Sequence, residues 1–176
     1  MRHDLSQRIY KELINGNLIN KTHRQGEQRV PNPLFDELAN VHNTEQYKDL
    51  YYSIGYELKQ LQDCFFINEL GKDELLSDIA MKVQALLVIL CRGVTQIPLL
   101  VSVLTDFHAG ISKEQLEQMD QQSEFQQILR AVNIKNTFSR EIDSLLVTRN
   151  IAYWNHFDRL VLSDGGVALL DHLSLG

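Results

Sequence analysis

The stretch Thr44–Ile67, TEQYKDLYYSIGYELKQLQDCFFI, decides how this chain folds. Tyr47, Leu50, Tyr51, Ile54 and Leu58 recur at three- and four-residue spacing, so Thr44–Ile54 reads as a helix with one apolar face and Thr44 as its N-cap. The pattern then changes. Glu57–Leu61 and Cys64–Ile67 are short strand-like runs, and Gln62-Asp63 between them reads as a tight turn. A helix running straight into a hairpin is the back half of a winged helix, the helix-turn-helix relative whose wing is that hairpin. The same order returns at Thr137–Val147, followed by Ile151–Trp154 and Arg159–Leu162, with Phe138, Ile142, Leu145 and Leu146 on the core face of the helix. The expected fold is mostly α with short β-hairpins, an α+β chain of tandem winged-helix domains over residues 1–70 and 71–176. A helical bundle with two incidental hairpins is the alternative, because residue-level repetition is weak.

Working outward, Leu5, Ile9, Leu13 and Ile14 predict an opening helix that stops at Asn15-Gly16. Leu18-Ile19 reads as a short strand. Lys21–Pro33 is polar, carries Gly26, Pro31 and Pro33, and reads as a loop or flexible insertion. Pro33 can open a short helix over Leu34–Ala39. Downstream, Asp73 or Ser77 starts a long helix ending at Gly93. Leu76, Ile79, Ala80, Val83, Leu86, Leu87 and Leu90 are apolar there, and Val88, Ile89 and Cys91 fill much of the rest. A helix apolar nearly all round needs cover on several sides, so it is read as the centre of the second unit, packed on the first unit or on a second copy of the chain. Pro98 opens an apolar segment, Leu99–Phe107. Ser112 with Gln115 forms a capping-box pattern for a polar helix, and Phe125, Ile128, Leu129 and Val132 mark one more. Gly165–Leu173 reads as a short closing helix.

The 176 residues suffice for one domain or two small ones, and the apolar (44%) and charged (23%) fractions are those of a folded protein. The net charge of −6 disfavours a free-standing nucleic-acid binder that works by neutralising phosphates. Cys64 and Cys91 sit in apolar surroundings without a CxxC pattern, as buried reduced thiols of a cytoplasmic protein do. MRHDLSQRIY lacks the apolar core of a signal peptide, and Ile79–Cys91, broken by Lys82 and Gln84, is too short to span a bilayer. A cytoplasmic location is expected.

Patterns for catalysis, metal or cofactor are missing. The six histidines, His3, His23, His42, His108, His156 and His172, show no HExxH and no zinc spacing, and there is no GxxxxGK[ST], GxGxxG or GxSxG. Asp106 and His108 are close in sequence, but a loop aspartate two residues from a histidine is a common accident. The chain reads as a binding protein that is not an enzyme, with no cofactor and no metal.

The helices that would enter a DNA groove are not basic. The first presents Glu45, Lys48, Asp49, Tyr52 and Tyr56 away from its core. The second presents Arg140, Glu141, Ser144 and Thr148, flanked by Asp143 and Arg149. Carboxylates aimed at a groove meet phosphates on both walls, so these faces suit protein better than DNA. A basic cluster of Lys21, His23, Arg24 and Arg29 suits a phosphate-touching arm or an idle solvated loop. Candidate DNA contacts are therefore Lys21, Arg24, Arg29, Arg140 and Arg149. Tyr153 and Trp154 alternate faces in the second hairpin, which puts one in the core and the other outside. Candidate partner contacts are Tyr52 and Tyr56 on the first helix and Tyr153 on the second wing.

The order Asn32-Pro33-Leu34-Phe35, a helix ending before Tyr56-Glu57-Leu58, a Phe65-Phe66 strand and then a long apolar helix resembles MukE, and more closely the shorter MksE-type subunits of MukBEF-like condensins. These are kite proteins. The likeness in element order covers about residues 5–173. It implies a homodimer gripped by a kleisin and joined through it to an SMC ATPase, in the nucleoid, touching DNA only weakly or within the complex. Such complexes act in chromosome organisation and segregation, or in Wadjet-like plasmid defence. The other reading is a winged-helix transcriptional regulator, which calls for a basic recognition helix.

Overall fold

The computed structural model describes residues 1–72 and 77–175. It is mostly helical with three short antiparallel sheets. By spatial contact the chain divides into two compact units. One holds the described residues of Met1–Glu74 with Arg149–Ile151 and Ser163–Gly176; the other holds those of Leu75–Thr148 with Ala152–Leu162.

The first unit begins with α1 (His3–Ile14), which buries Leu5, Ile9 and Leu13 and leaves Ile14 at the surface. Gly16 turns the chain in the left-handed region at φ 79°. Strand β1 (Ile19–Asn20) follows. The polar stretch expected as a loop is instead a hairpin, β2 (Thr22–Gln25) and β3 (Gln28–Pro31), with Gly26 at φ 62° in its turn. Asn32 caps α2 (Pro33–Ala39) by accepting from Leu34 N–H at 3.1 Å, with proline in the first turn.

Helix α3 (Thr44–Ser53) has Asn43, not Thr44, at the N-cap position. Thr44 Oγ1 instead donates to the carbonyl of Leu38 at 2.7 Å. Tyr47, Tyr51 and Leu58 are buried as their spacing predicts, but Leu50 and Ile54 are exposed. The hairpin of β4 (Tyr56–Leu61) and β5 (Cys64–Glu69) lies where its pattern predicts and is one to two residues longer at its open end. Gln62-Asp63 is its turn, with Gln62 at φ 48°. β1 pairs on the far side of β5, so the sheet order is β1-β5-β4. One core joins Leu5, Ile9, Leu13, Phe35, Leu38, Tyr47, Tyr51 and Phe65.

The second unit is built on α4 (Asp78–Gln96), capped by Ser77, whose hydroxyl accepts from Ala80 N–H at 3.1 Å. The expected positions Asp73 and Leu76 lie outside the described residues. The helix passes through Gly93 rather than stopping there. A side chain at Gly93 would stand 2.5 Å from Met119 Sδ, so that glycine admits a neighbour. Val83, Leu86, Leu87, Ile89 and Leu90 are buried, while Ile79 and Met81 are exposed. A 3₁₀ turn (Val101–Leu104) precedes α5 (Lys113–Asp120), whose Ser112–Gln115 capping box is formed in both directions. Next come α6 (Ser123–Ala131) and α7 (Phe138–Glu141), the latter continued by a π-helical turn over Ile142–Val147. Strands β6 (Ala152–Trp154) and β7 (Leu160–Leu162) form the second hairpin, and Ile111 bridges to Leu160 on its far side.

Helix α8 (Asp164–Leu175) closes the chain and packs on β1, β4 and β5 of the first unit. No helix among the described residues is long and apolar enough to cross a membrane.

Candidate partner-binding surface

In the first unit a groove of about 660 Å³ runs between α3 and the first hairpin. Thr44, Lys48 and Tyr52, spaced four apart and therefore stacked on one row of the helix, form one wall. The other side is β4, from Tyr56 to Leu61, with Phe65 and Phe66 of β5. Tyr52 is 67% exposed, which for a tyrosine on a helix leaves most of an apolar ring in solvent. Tyr56 is half-buried against the core and opens β4, so it is not a helix residue as its sequence position suggested. The two tyrosines do line the same groove. Both of its lysines have a carboxylate beside them, Lys48 Nζ 2.7 Å from Glu45 Oε1 and Lys59 Nζ 3.5 Å from Glu57 Oε2, and Asp49 lines it as well.

Tyr153 lies in the second unit, in β6. Neither it nor Trp154 is core or fully outside; both are half-buried. The Tyr153 ring stands 6.1 Å from Phe107. Trp154 Nε1 donates to Asp143 at 2.8 Å, and Lys113 Nζ sits 5.3 Å over its ring, so this strand's outer face is itself covered.

Strict alternation fails because α5 and the π-helical turn reach the outer face.

The basic candidates fall into different settings. Lys21 Nζ is 3.6 Å from Asp63. Arg29 donates through Nη2 to Asp164, a carboxylate only 7% exposed that also accepts from Thr22 N–H at 2.8 Å and Thr22 Oγ1 at 2.7 Å. Arg24 Nε donates to the carbonyl of Gly26 at 2.8 Å within the hairpin turn. Arg140 is exposed on α7. Arg149 belongs to the first unit, where its guanidinium lies over Gly16, 3.4 Å from that carbonyl, with Nε buried and without a partner among the described residues.

Two features had no signal in the sequence reading. Arg130 and Lys135 line a second depression, of about 620 Å³, beside Asn133, Thr137 and Phe138. Asp120, at its edge, accepts from Ser139 N–H at 3.0 Å and from Ser139 Oγ at 2.6 Å. The outer edge of β4 is the other, because strand order is not written in local pattern.

Asp106 Oδ1 accepts from the backbone N–H of His108 at 2.9 Å, so its carboxylate shapes a turn; the His108 ring packs edge-on to Phe107 and His156. Among the described residues no three His, Cys, Asp or Glu side chains converge as a metal site would require. Burial pushes the Cys64 thiol up to about 12, and Cys91 is raised for the same reason.

A family model described as condensin complex protein MksE matches residues 4–160. No curated protein and no solved structure matches the chain.

Proposed function

Because the chain belongs to the MksE family of condensin complex proteins, we propose that it is the non-catalytic subunit that holds a kleisin and, through it, joins an SMC ATPase. It acts as a homodimer of tandem winged-helix domains, with the change of domain near residue 70. Its place is the cytoplasmic nucleoid, and its process is chromosome organisation and segregation or plasmid defence.

The observation that carries this reading is a repeated element order. In each unit helices lead into a hairpin, and a short upstream segment pairs on the hairpin's second strand: Ile19-Asn20 on β5, and Ile111 on β7. This order supports a winged-helix reading of each unit, with the β2–β3 hairpin inserted after β1 in the first and three helices, α5 to α7, between the Ile111 bridge and the hairpin in the second. The exposed surface of α3 favours protein over DNA, with Tyr52 outward on a helix whose exposed charges are Glu45, Lys48 and Asp49. Tyr52, Tyr56 and Tyr153 are the proposed kleisin contacts. Lys21, Arg24, Arg29, Arg140 and Arg149 are the proposed DNA-side residues, acting within the assembled complex.

The test is purification of the tagged protein from its native host, with identification of the chains that accompany it. A kleisin-like chain together with a long coiled-coil ATPase is the expected result. Elution as a lone monomer at gentle salt overturns the reading.

A further inference from the structure

In the sheet order β1-β5-β4, strand β4 is outermost. Its register with β5 decides which backbone groups face out. Leu61 and Cys64 flank the two-residue turn, and beyond the other end Gly55 C=O accepts from Leu70 N–H at 3.0 Å. Hydrogen-bonded and non-bonded pairs alternate along an antiparallel ladder. Gly55, Glu57, Lys59 and Leu61 therefore direct N–H and C=O at β5, while Tyr56, Leu58 and Gln60 direct theirs away from it. Among the described residues nothing bonds to those outward groups.

An edge left bare is a template for another strand. Natural sheets often guard such an edge with a lysine. Here Lys59 has the carboxylate of Glu57 3.5 Å away on the same strand, so the two together add no net charge to the edge. The edge also has a wall beside it: the Thr44–Lys48–Tyr52 row of α3 stands across the groove. An occupant is thus offered main-chain partners on one side and an aromatic ring on the other.

The geometry points to the outer edge of β4 as the seat of an extended segment of a partner polypeptide, added as a fourth strand to the β1-β5-β4 sheet. This rests on the reading of the chain as a subunit that holds another polypeptide. Main-chain bonds to Tyr56, Leu58 and Gln60 supply affinity, and an apolar or aromatic side chain of the segment packs between Tyr52 and Tyr56. Six residues of β4 span about 20 Å, so the added strand is short, about four to six residues.

The experiment uses the full chain and overlapping synthetic peptides covering the polypeptide that copurifies with it. One peptide binds, and amide exchange followed by NMR slows at Tyr56, Leu58 and Gln60 but not at Glu57 and Lys59. Gln60→Pro removes one outward N–H and leaves the β5 ladder and the core intact. Tyr52→Ala removes the wall without touching the sheet. Each weakens the peptide about tenfold or more, and Tyr52→Ala keeps the wild-type thermal midpoint. Should Gln60→Pro fail to fold, Tyr52→Ala and the exchange pattern still decide. Unchanged exchange at the three amides, with wild-type binding by Tyr52→Ala, overturns the inference and leaves the subunit reading standing. Absence of any copurifying chain overturns the subunit reading. Protection of the same amides in the protein alone, growing with its concentration, assigns the edge to a second copy and overturns the inference.

Discussion

Asn20 and Gly165 are joined by a buried hydrogen bond in which Asn20 Oδ1 accepts from Gly165 N–H at 2.7 Å. The same amide donates through Nδ2 to the carbonyl of Asn150 at 2.9 Å, so one side chain ties β1 to the start of α8 and to the segment ahead of the second hairpin. Asn20 is 7% exposed. Replacing it with alanine strands the Gly165 N–H away from water and leaves the Asn150 carbonyl with Ser163 Oγ alone, a loss of about 2 kcal/mol. Gly165→Ala is expected to cost about 1–3 kcal/mol by overpacking, since a Cβ there would press on Leu18 Cδ1 and stand 2.8 Å from Asn20 Oδ1 and 3.3 Å from Cys64 Cβ. Urea denaturation of the two variants and their double mutant checks this. The double mutant is expected to cost less than the sum of the two, because both changes act on one bond.

Tyr47 is buried in the first core and donates to Glu37 Oε1 at 3.0 Å. That oxygen also accepts from Arg2 N–H at 2.8 Å. Burial is the main reason the Tyr47 hydroxyl is pushed up to about 12, and the carboxylate of Glu37 adds to it. A raised pKa in the fold means the unfolded chain gives up this proton first. The stability held below pH about 10 is therefore lost as pH rises from about 10 toward 12. Tyr51 and Cys64, raised in the same direction, steepen that loss. Tyr47→Phe should cost about 1 kcal/mol at pH 8. It should also show a smaller drop in thermal midpoint between pH 8 and pH 11 than the wild type. An equal drop in both excludes Tyr47 from the alkaline transition.

Both hairpins were legible because local rules agree there. The apolar period changes from helical to alternating just past Ile54, and Gln62-Asp63 leaves only two residues for a turn. The capping box at Ser112 was legible for the same reason. The β2–β3 hairpin was hidden because its residues are polar on both faces, so alternation carries no signal; what holds it is Asp164, far away in sequence. The packing of α8 on the first unit's sheet and the bare edge of β4 are likewise products of distant pairing. Tyr52 could be placed outward from helical spacing alone. That Tyr56 faces it across a groove depended on where the helix stops.

Cys64 offers a chemical check on the first core. Its thiol donates to the carbonyl of Leu61 at 3.3 Å and is buried, and its raised pKa leaves almost no thiolate at pH 8. A thiol reagent should therefore react with native Cys64 far more slowly than with the urea-unfolded chain, with Cys91 reacting first because it is less buried. Mass spectrometry of the labelled peptides gives the order. Prompt labelling of Cys64 in the native protein would contradict its burial.

Arg29 makes the DNA proposal testable only with care, because its guanidinium is bound to the buried carboxylate of Asp164. Neutralising Arg29 removes a cation and also leaves Asp164 without its charge partner, so the β2–β3 hairpin loosens at the same time. Lys21 faces an exposed aspartate at 3.6 Å, and Arg24 Nε is bound to the Gly26 carbonyl in the hairpin turn. The free chain, at net charge −6, should bind duplex DNA weakly and without sequence preference. If Lys21 and Arg24 each neutralise a phosphate, changing both to glutamine should lower the slope of log affinity against log salt by about two, and the thermal midpoint by less than Arg29→Gln does. Arg29→Gln should lower both. Fluorescence anisotropy on one labelled duplex at several salt concentrations, beside thermal melts of each variant, separates the two effects. A double variant with the wild-type slope would remove this hairpin from the DNA-side surface, and tight binding to one particular operator at physiological salt would favour a transcriptional regulator instead.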